Sequence, residues 1–254
     1  SWWDKNNGKK IYVGEQSIVE EEGFISVIDD AILTSHGAML QKFLPEMMNW
    51  LEQHYGRLPQ KPMLFASYGK TDDGTYGQQG GTLPDQVFMH WYGKLPDFEN
   101  ESEQLIWFFA HEAAHMYQRL NGRAISPVDN WLHEGHAEHL AKKIVMQLYP
   151  KYQTYADNMS EKASERCRDQ LDQSTLHDLI EKNQHKVLYQ CGLYIFDTLD
   201  KANTSNNDVH QLWNQFMSQI QPGQEVSGVS FIELAEKAYN LPKSQVDKLM
   251  LLLQ

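Results

Sequence analysis

Only two cysteines, Cys167 and Cys191, occur in the 254 residues. Neither belongs to a short-spaced pair, which excludes a zinc site built on cysteine. They remain either one bridge, tying the helical run at 157–171 to the run that holds Tyr189, or two buried thiols, and the free-thiol state is the expectation. No apolar stretch approaches the roughly 20 residues that cross a hydrocarbon core, so no transmembrane segment is expected in this chain. No signal-peptide pattern opens it, and the first residue, Ser1, fits a truncated or processed N-terminus. The expected chain is soluble, with its compartment open and export included. Basic residues are also scarce, 22 Lys and Arg against 34 Asp and Glu, for a formal charge of −12. Such a surface repels polyanions, and with no offsetting Lys/Arg cluster this excludes nucleic acid as a partner. Linkers, internal repeats and low-complexity tracts are absent as well.

What is present is a donor-rich pattern, His111-Glu112-Ala113-Ala114-His115, inside an amphipathic run. Residues four apart project from one face of a helix, so both imidazoles can aim at one cation. After eighteen intervening residues comes Glu134, within Trp131-Leu132-His133-Glu134-Gly135. A second helix starting there, with Glu134, Ala137, Glu138 and Ala141 on one polar or small face, supplies a third ligand. Three protein ligands leave a position for water, the mark of a catalytic rather than a structural zinc. Glu112 lies about 100° round the helix from His111, beside the metal rather than on it, where it can take a proton from that water. The helix starts at Ser102-Glu103, carries the apolar run Leu105–Phe109 and meets a stop at Asn121-Gly122. Two histidines and a glutamate buried on so apolar a helix need partners, and a metal supplies them. The other reading is a pair of satisfied core histidines.

Hydrophobic periodicity predicts an α+β layout, a small mixed β-sheet lobe (1–100, with one helix at 36–55) followed by a mainly α-helical lobe (101–254). Strand-like runs occupy Lys10–Val13, Gly23–Ile28, Met63–Ala66 and Gln86–Trp91, and Gly56 ends the helix. From Glu101 onward the pattern is almost wholly helical, with helices expected at 102–121, 130–148, 157–170, 174–182, 186–202, 208–220, 230–239 and 243–253.

These residues resemble the gluzincin metallopeptidases, and within them the aminopeptidase N and leukotriene-hydrolase group. The resemblance covers roughly residues 60 to 200. It is carried by the His-Glu-x-x-His, eighteen-residue, Glu spacing; by Trp131–Ala137, similar to a Trp-Leu-Asn-Glu-Gly pattern with His133 in place of Asn; and by Tyr189-Gln190-Cys191-Gly192, similar to Tyr-x-Lys-Gly. It implies a thermolysin-like catalytic domain, one zinc per chain on His111, His115 and Glu134, a peptide substrate, and an additional domain missing from this chain. Tyr189 becomes the oxyanion donor, with Tyr194 and Tyr155 as fallbacks and a packed core aromatic as the alternative. Glu138, one turn after Glu134, is placed to accept a hydrogen bond from the far nitrogen of His111, or else is a solvated charge. His133, His136 and His139 fall off the Glu134 face and are expected at the surface or in a cleft.

One departure stands out. The family's Gly-x-Met-Glu-Asn strand, whose Glu binds the substrate amine, is replaced by Gly80-Gly81-Thr82-Leu83-Pro84-Asp85-Gln86. Gly80 and Gly81 suit an edge strand along which a peptide lies, or an ordinary Gly-rich loop. Asp85 is the substitute for the absent Glu, and without it endopeptidase action stays open. The expected activity is metal-assisted peptide hydrolysis, aminopeptidase-like, with Glu112 as base and then acid. The alternatives are another zinc hydrolase on the same site, acting on an epoxide or ester, and a non-catalytic peptide-binding module.

Overall fold

The structure is a computed structural model; it describes residues 17–20, 23–32, 38–83, 85–95, 97, 100–120, 123–172 and 174–253. The expected strand at Lys10–Val13 and the Asn121-Gly122 stop lie outside these residues. The fold is mixed α+β, with one small mixed sheet and a helical remainder, and the chain divides after Tyr117 into two compact units.

The first unit is built on a five-stranded sheet of order β1-β2-β3-β5-β4. β1 (Ser17–Glu20) runs antiparallel to β2 (Ile25–Ile28), which is parallel to β3 (Met63–Gly69). β3 is parallel to β5 (Gln86–Tyr92), and β4 (Gly77–Leu83) closes antiparallel onto β5. After a single turn, α1 (Asp30–Ile32), the helix α2 (Ala38–Tyr55) makes the crossover that a parallel β2–β3 pair requires. α2 buries Leu40, Leu44, Met47, Met48 and Leu51 at helical spacing and stops at Gly56, whose φ of 78° only glycine adopts freely. β5 is buried from Gln86 through Met89 and again at Trp91, the near-continuous apolar run of a strand covered on both faces. β4 buries no residue and ends the sheet among the described residues, so the segment around Gly80 and Gly81 is an edge strand and not a loop.

α3 (Ser102–Tyr117) packs against α2, β4 and β5. Ile106, Phe109, Ala110, Ala113 and Ala114 are buried on it, and each of the larger two contributes about 1.5–3 kcal/mol by leaving water. The helix ends at Tyr117, short of the expected residue 121, and Arg119 turns into the left-handed region at φ 56°.

The second unit holds α4 (Trp131–Leu148), α5 (Gln153–Leu171), α6 (Leu176–Glu181), α7 (Lys186–Ala202), α8 (Val209–Gln219), α9 (Gly228–Tyr239) and α10 (Lys243–Leu253). Reciprocal caps open two of these helices, Thr175 with Asp178 and Asp208 with Gln211. The aromatic core is Trp131, Phe196, Trp213, Phe216 and Phe231. Two-residue strands β6 (Ala124–Ile125) and β7 (Glu225–Val226) pair in parallel, in the breaks left between expected helices; two residues are too few to show a strand period.

The free-thiol expectation is corrected. Cys167 on α5 and Cys191 on α7 form a disulfide, because the packing of these helices brings two fully buried cysteines to a Cα–Cα distance of 4.9 Å.

Candidate metal centre

His111 and His115 sit one turn apart on α3, His111 buried at 5 % exposure and His115 half-buried. Their Nε2 atoms are 2.9 Å apart and their rings meet edge to face, centroids 4.5 Å apart. Two imidazoles that turn the same nitrogen toward one point can chelate one ion, and the donor set fits zinc. Tetrahedral bonds of about 2.05 Å separate two nitrogens by about 3.3 Å, a few tenths of an ångström from the geometry here.

Glu112 lies between them in sequence and is held from β4. The Thr82 hydroxyl lies 2.7 Å from Glu112 Oε2 and 2.6 Å from its backbone oxygen, and its single proton serves both acceptors. Oε2 is thus fixed by a donor from the edge strand. Sequence reasoning did not single out Thr82; one threonine in a strand gives no signal until the strand's neighbour is known. Gly80 explains how the strand comes so close. A Cβ there would meet Phe108 of α3 at 2.5 Å and Met89 at 2.7 Å, so glycine lets β4 rest on α3. Gly81 is looser, its Cβ position 3.3 Å from Phe88. Asp85 lies in the turn from β4 to β5, where its carbonyl accepts from the Met63 amide.

In the second unit, Glu134 occupies the first turn of α4 and Glu138 the next. Glu134 is largely buried, with a side-chain exposure of 13 %, and His133 Nδ1 lies 3.6 Å from its Oε1. Gly135 on α4 and Gly192 on α7 are in backbone contact, so that a Cβ on either would collide with the other. The two glycines next to the candidate residues therefore seat the two helices against each other. Tyr189, three residues before Gly192, is 39 % exposed and shares a cavity with Glu138. Tyr155 and Tyr194 are both half-buried.

Two of the remaining histidines are not where sequence placed them. His136 and His139 are fully buried, and only His133 is half-exposed. The expectation failed because α4 is covered on more than its Glu134 face. The His136 ring stacks on Trp213 with centroids 3.8 Å apart, and Gln118 Nε2 lies 3.3 Å from its Nδ1 while donating to the His133 carbonyl. His139 Nδ1 lies 2.9 Å from Asp197 Oδ1, and the Lys142 ammonium donates to Asp197 Oδ2 at 2.7 Å. Burial on its own would raise the Asp197 pKa, but the hydrogen bonds and charges of His139 and Lys142 outweigh it and hold this carboxyl well below the usual carboxylate range.

No family model matches the sequence, and no curated protein is similar to it in sequence. Solved structures are similar in fold. Yeast LTA4 hydrolase, native and in complex with bestatin, matches with a TM-score of 0.62 at 12 % identity, over 92 % of this chain and 38 % of that one. An aminopeptidase N family protein from Idiomarina loihiensis matches with a TM-score of 0.58 at 10 % identity, over 90 % and 47 % of the respective chains. The chain shares a fold with part of each of these proteins and spans less than half of their length.

Proposed function

We propose that the protein is a zinc-dependent metallopeptidase, a thermolysin-like catalytic domain of the gluzincin type, with His111, His115 and Glu134 holding the metal. What supports this most is the pair of converging imidazoles on α3 beside a glutamate held by a hydroxyl. Likeness in fold to an LTA4 hydrolase and to an aminopeptidase N family protein points the same way. A zinc ion bound there supplies Lewis acidity and brings the pKa of water toward neutrality. Glu112, with Oε2 committed to Thr82, takes the proton of the attacking water on Oε1 and returns it to the leaving amine. Tyr189 donates its phenolic proton to the developing oxyanion. A peptide pairs with β4 as an added strand. A further domain, as in the longer proteins of similar fold, belongs to the same proposal. Among the described residues no helix is long and apolar enough to cross a membrane.

Glu112→Gln tests the mechanism. Wild type is expected to carry one zinc per chain, and the variant to keep it while kcat toward peptides falls about 10²–10⁴-fold. Unchanged turnover in the variant, or no zinc uptake by wild type, overturns the proposal. Peptides with free and acetylated N-termini then separate aminopeptidase from endopeptidase action, which matters because β4 carries no glutamate for a substrate amine.

A further inference from the structure

A cavity of about 190 Å³ lies wholly within the second unit, walled by α4, α5 and α7. Its floor is apolar, from Met159, Ala163 and Leu193. Three cations ring it: Lys162 and Arg166, one turn apart on α5, and Lys186 at the start of α7. In a chain of net charge −12 this is a local reversal, three positive groups against the single carboxylate of Glu138 on the α4 wall. Like charges four residues apart work against a helix. Among the described residues, no ion pair engages Lys162, Arg166 or Lys186. Gln190 lines the same space, and its Oε1 is buried with no hydrogen-bond partner, an acceptor that requires a donor. The walls are preset, since Cys167 and Cys191, the residues after Arg166 and Gln190, join α5 to α7 covalently.

We propose that this cavity binds an acidic side chain of a peptide substrate. The carboxylate sits among Lys162, Arg166 and Lys186, and its methylenes lie on Met159, Ala163 and Leu193. Gln190 Oε1 accepts a hydrogen bond from a peptide N–H. Glu138 repels the anion from the α4 wall and so directs it to the α5–α7 side. Tyr189 opens into the same space, which connects the pocket to the proposed catalytic donor; this assignment rests on the peptidase reading above.

The test uses matched peptides that differ only by Glu or Gln and are C-terminally amidated, with a Gln peptide bearing a free C-terminus as a third probe. Wild type is expected to prefer the Glu peptide by about tenfold in kcat/KM, and a Lys162→Gln/Arg166→Gln double variant to bring that ratio near one. Calorimetric binding of the same peptides to the Glu112→Gln protein, with and without the double substitution, reads the pocket without turnover and is expected to show the same ratios. Selective binding without cleavage by wild type overturns the peptidase reading and keeps the pocket. Cleavage indifferent to Glu or Gln, or a preference that survives the double substitution, overturns the pocket and keeps the peptidase. A free-C-terminus Gln peptide that binds as well as the Glu peptide overturns the acidic side chain as the ligand.

Discussion

Helices α3 and α4 are both rich in histidine, and they use it in opposite ways. On α3, His111 and His115 turn their Nε2 atoms toward each other. On α4, His136 lies flat on an indole and His139 meets a carboxylate. Burial does not separate the two sets, since His111, His136 and His139 are all buried. Partners do: the α3 rings face each other, whereas the α4 rings are received one by an indole and the other by a carboxylate. A buried histidine is a ligand candidate when its nearest polar neighbour is another donor of the same kind. It is a structural residue when an aromatic face or a carboxylate already receives it.

Metal content gives the largest contrast. His115→Ala is expected to abolish zinc binding and with it all turnover, whereas His139→Gln is expected to retain one zinc per folded chain by mass spectrometry; loss of zinc in both erases the distinction. Next in size is stability. Asp197→Ala leaves His139 and Lys142 facing an empty position, so the urea unfolding free energy is expected to fall by about 3–5 kcal/mol. The same pair has an acid limb. A carboxyl with a lowered folded pKa stabilises fully above its unfolded value of about 3.9 and loses that contribution as pH falls toward the folded value. The urea midpoint of wild type is therefore expected to drop more steeply below about pH 4 than that of Asp197→Asn, and parallel curves would contradict the ion pair. The smallest effect belongs to Thr82→Val, which removes the donor on Glu112 and leaves the proposed metal ligands alone. kcat is expected to fall about tenfold, the equivalent of one hydrogen bond to a charged group, with zinc content unchanged.

Local patterns carried far into the structure, and partnerships did not. The helices from α3 to α10 were legible because apolar residues recur at the helical period between polar or Gly/Pro-containing breaks. The His111, Glu112 and His115 constellation was legible from spacing alone. Thr82 and Gly80 were not, since what they do depends on the antiparallel return of β4 beside α3, thirty residues away. The choice of bridge over free thiols and the burial of His136 and His139 were not legible for a related reason. Each depends on which second helix covers a face, and that choice is made by the whole core around Phe196 and Trp213.

The contact of Gly135 with Gly192 sets what this protein is free to become. Neither position admits even alanine without driving α4 and α7 apart, so the spacing of the two helices that carry Glu134, Glu138 and Tyr189 depends on a pair of glycines. Substitution at the seam cannot retune that distance by small steps. It can rewrite the exposed residues of α5, where Lys162 and Arg166 line the cavity without bearing on the glycine seam. A fixed backbone contact beside exchangeable side chains lets the charge of the cavity change without moving the helices that frame it.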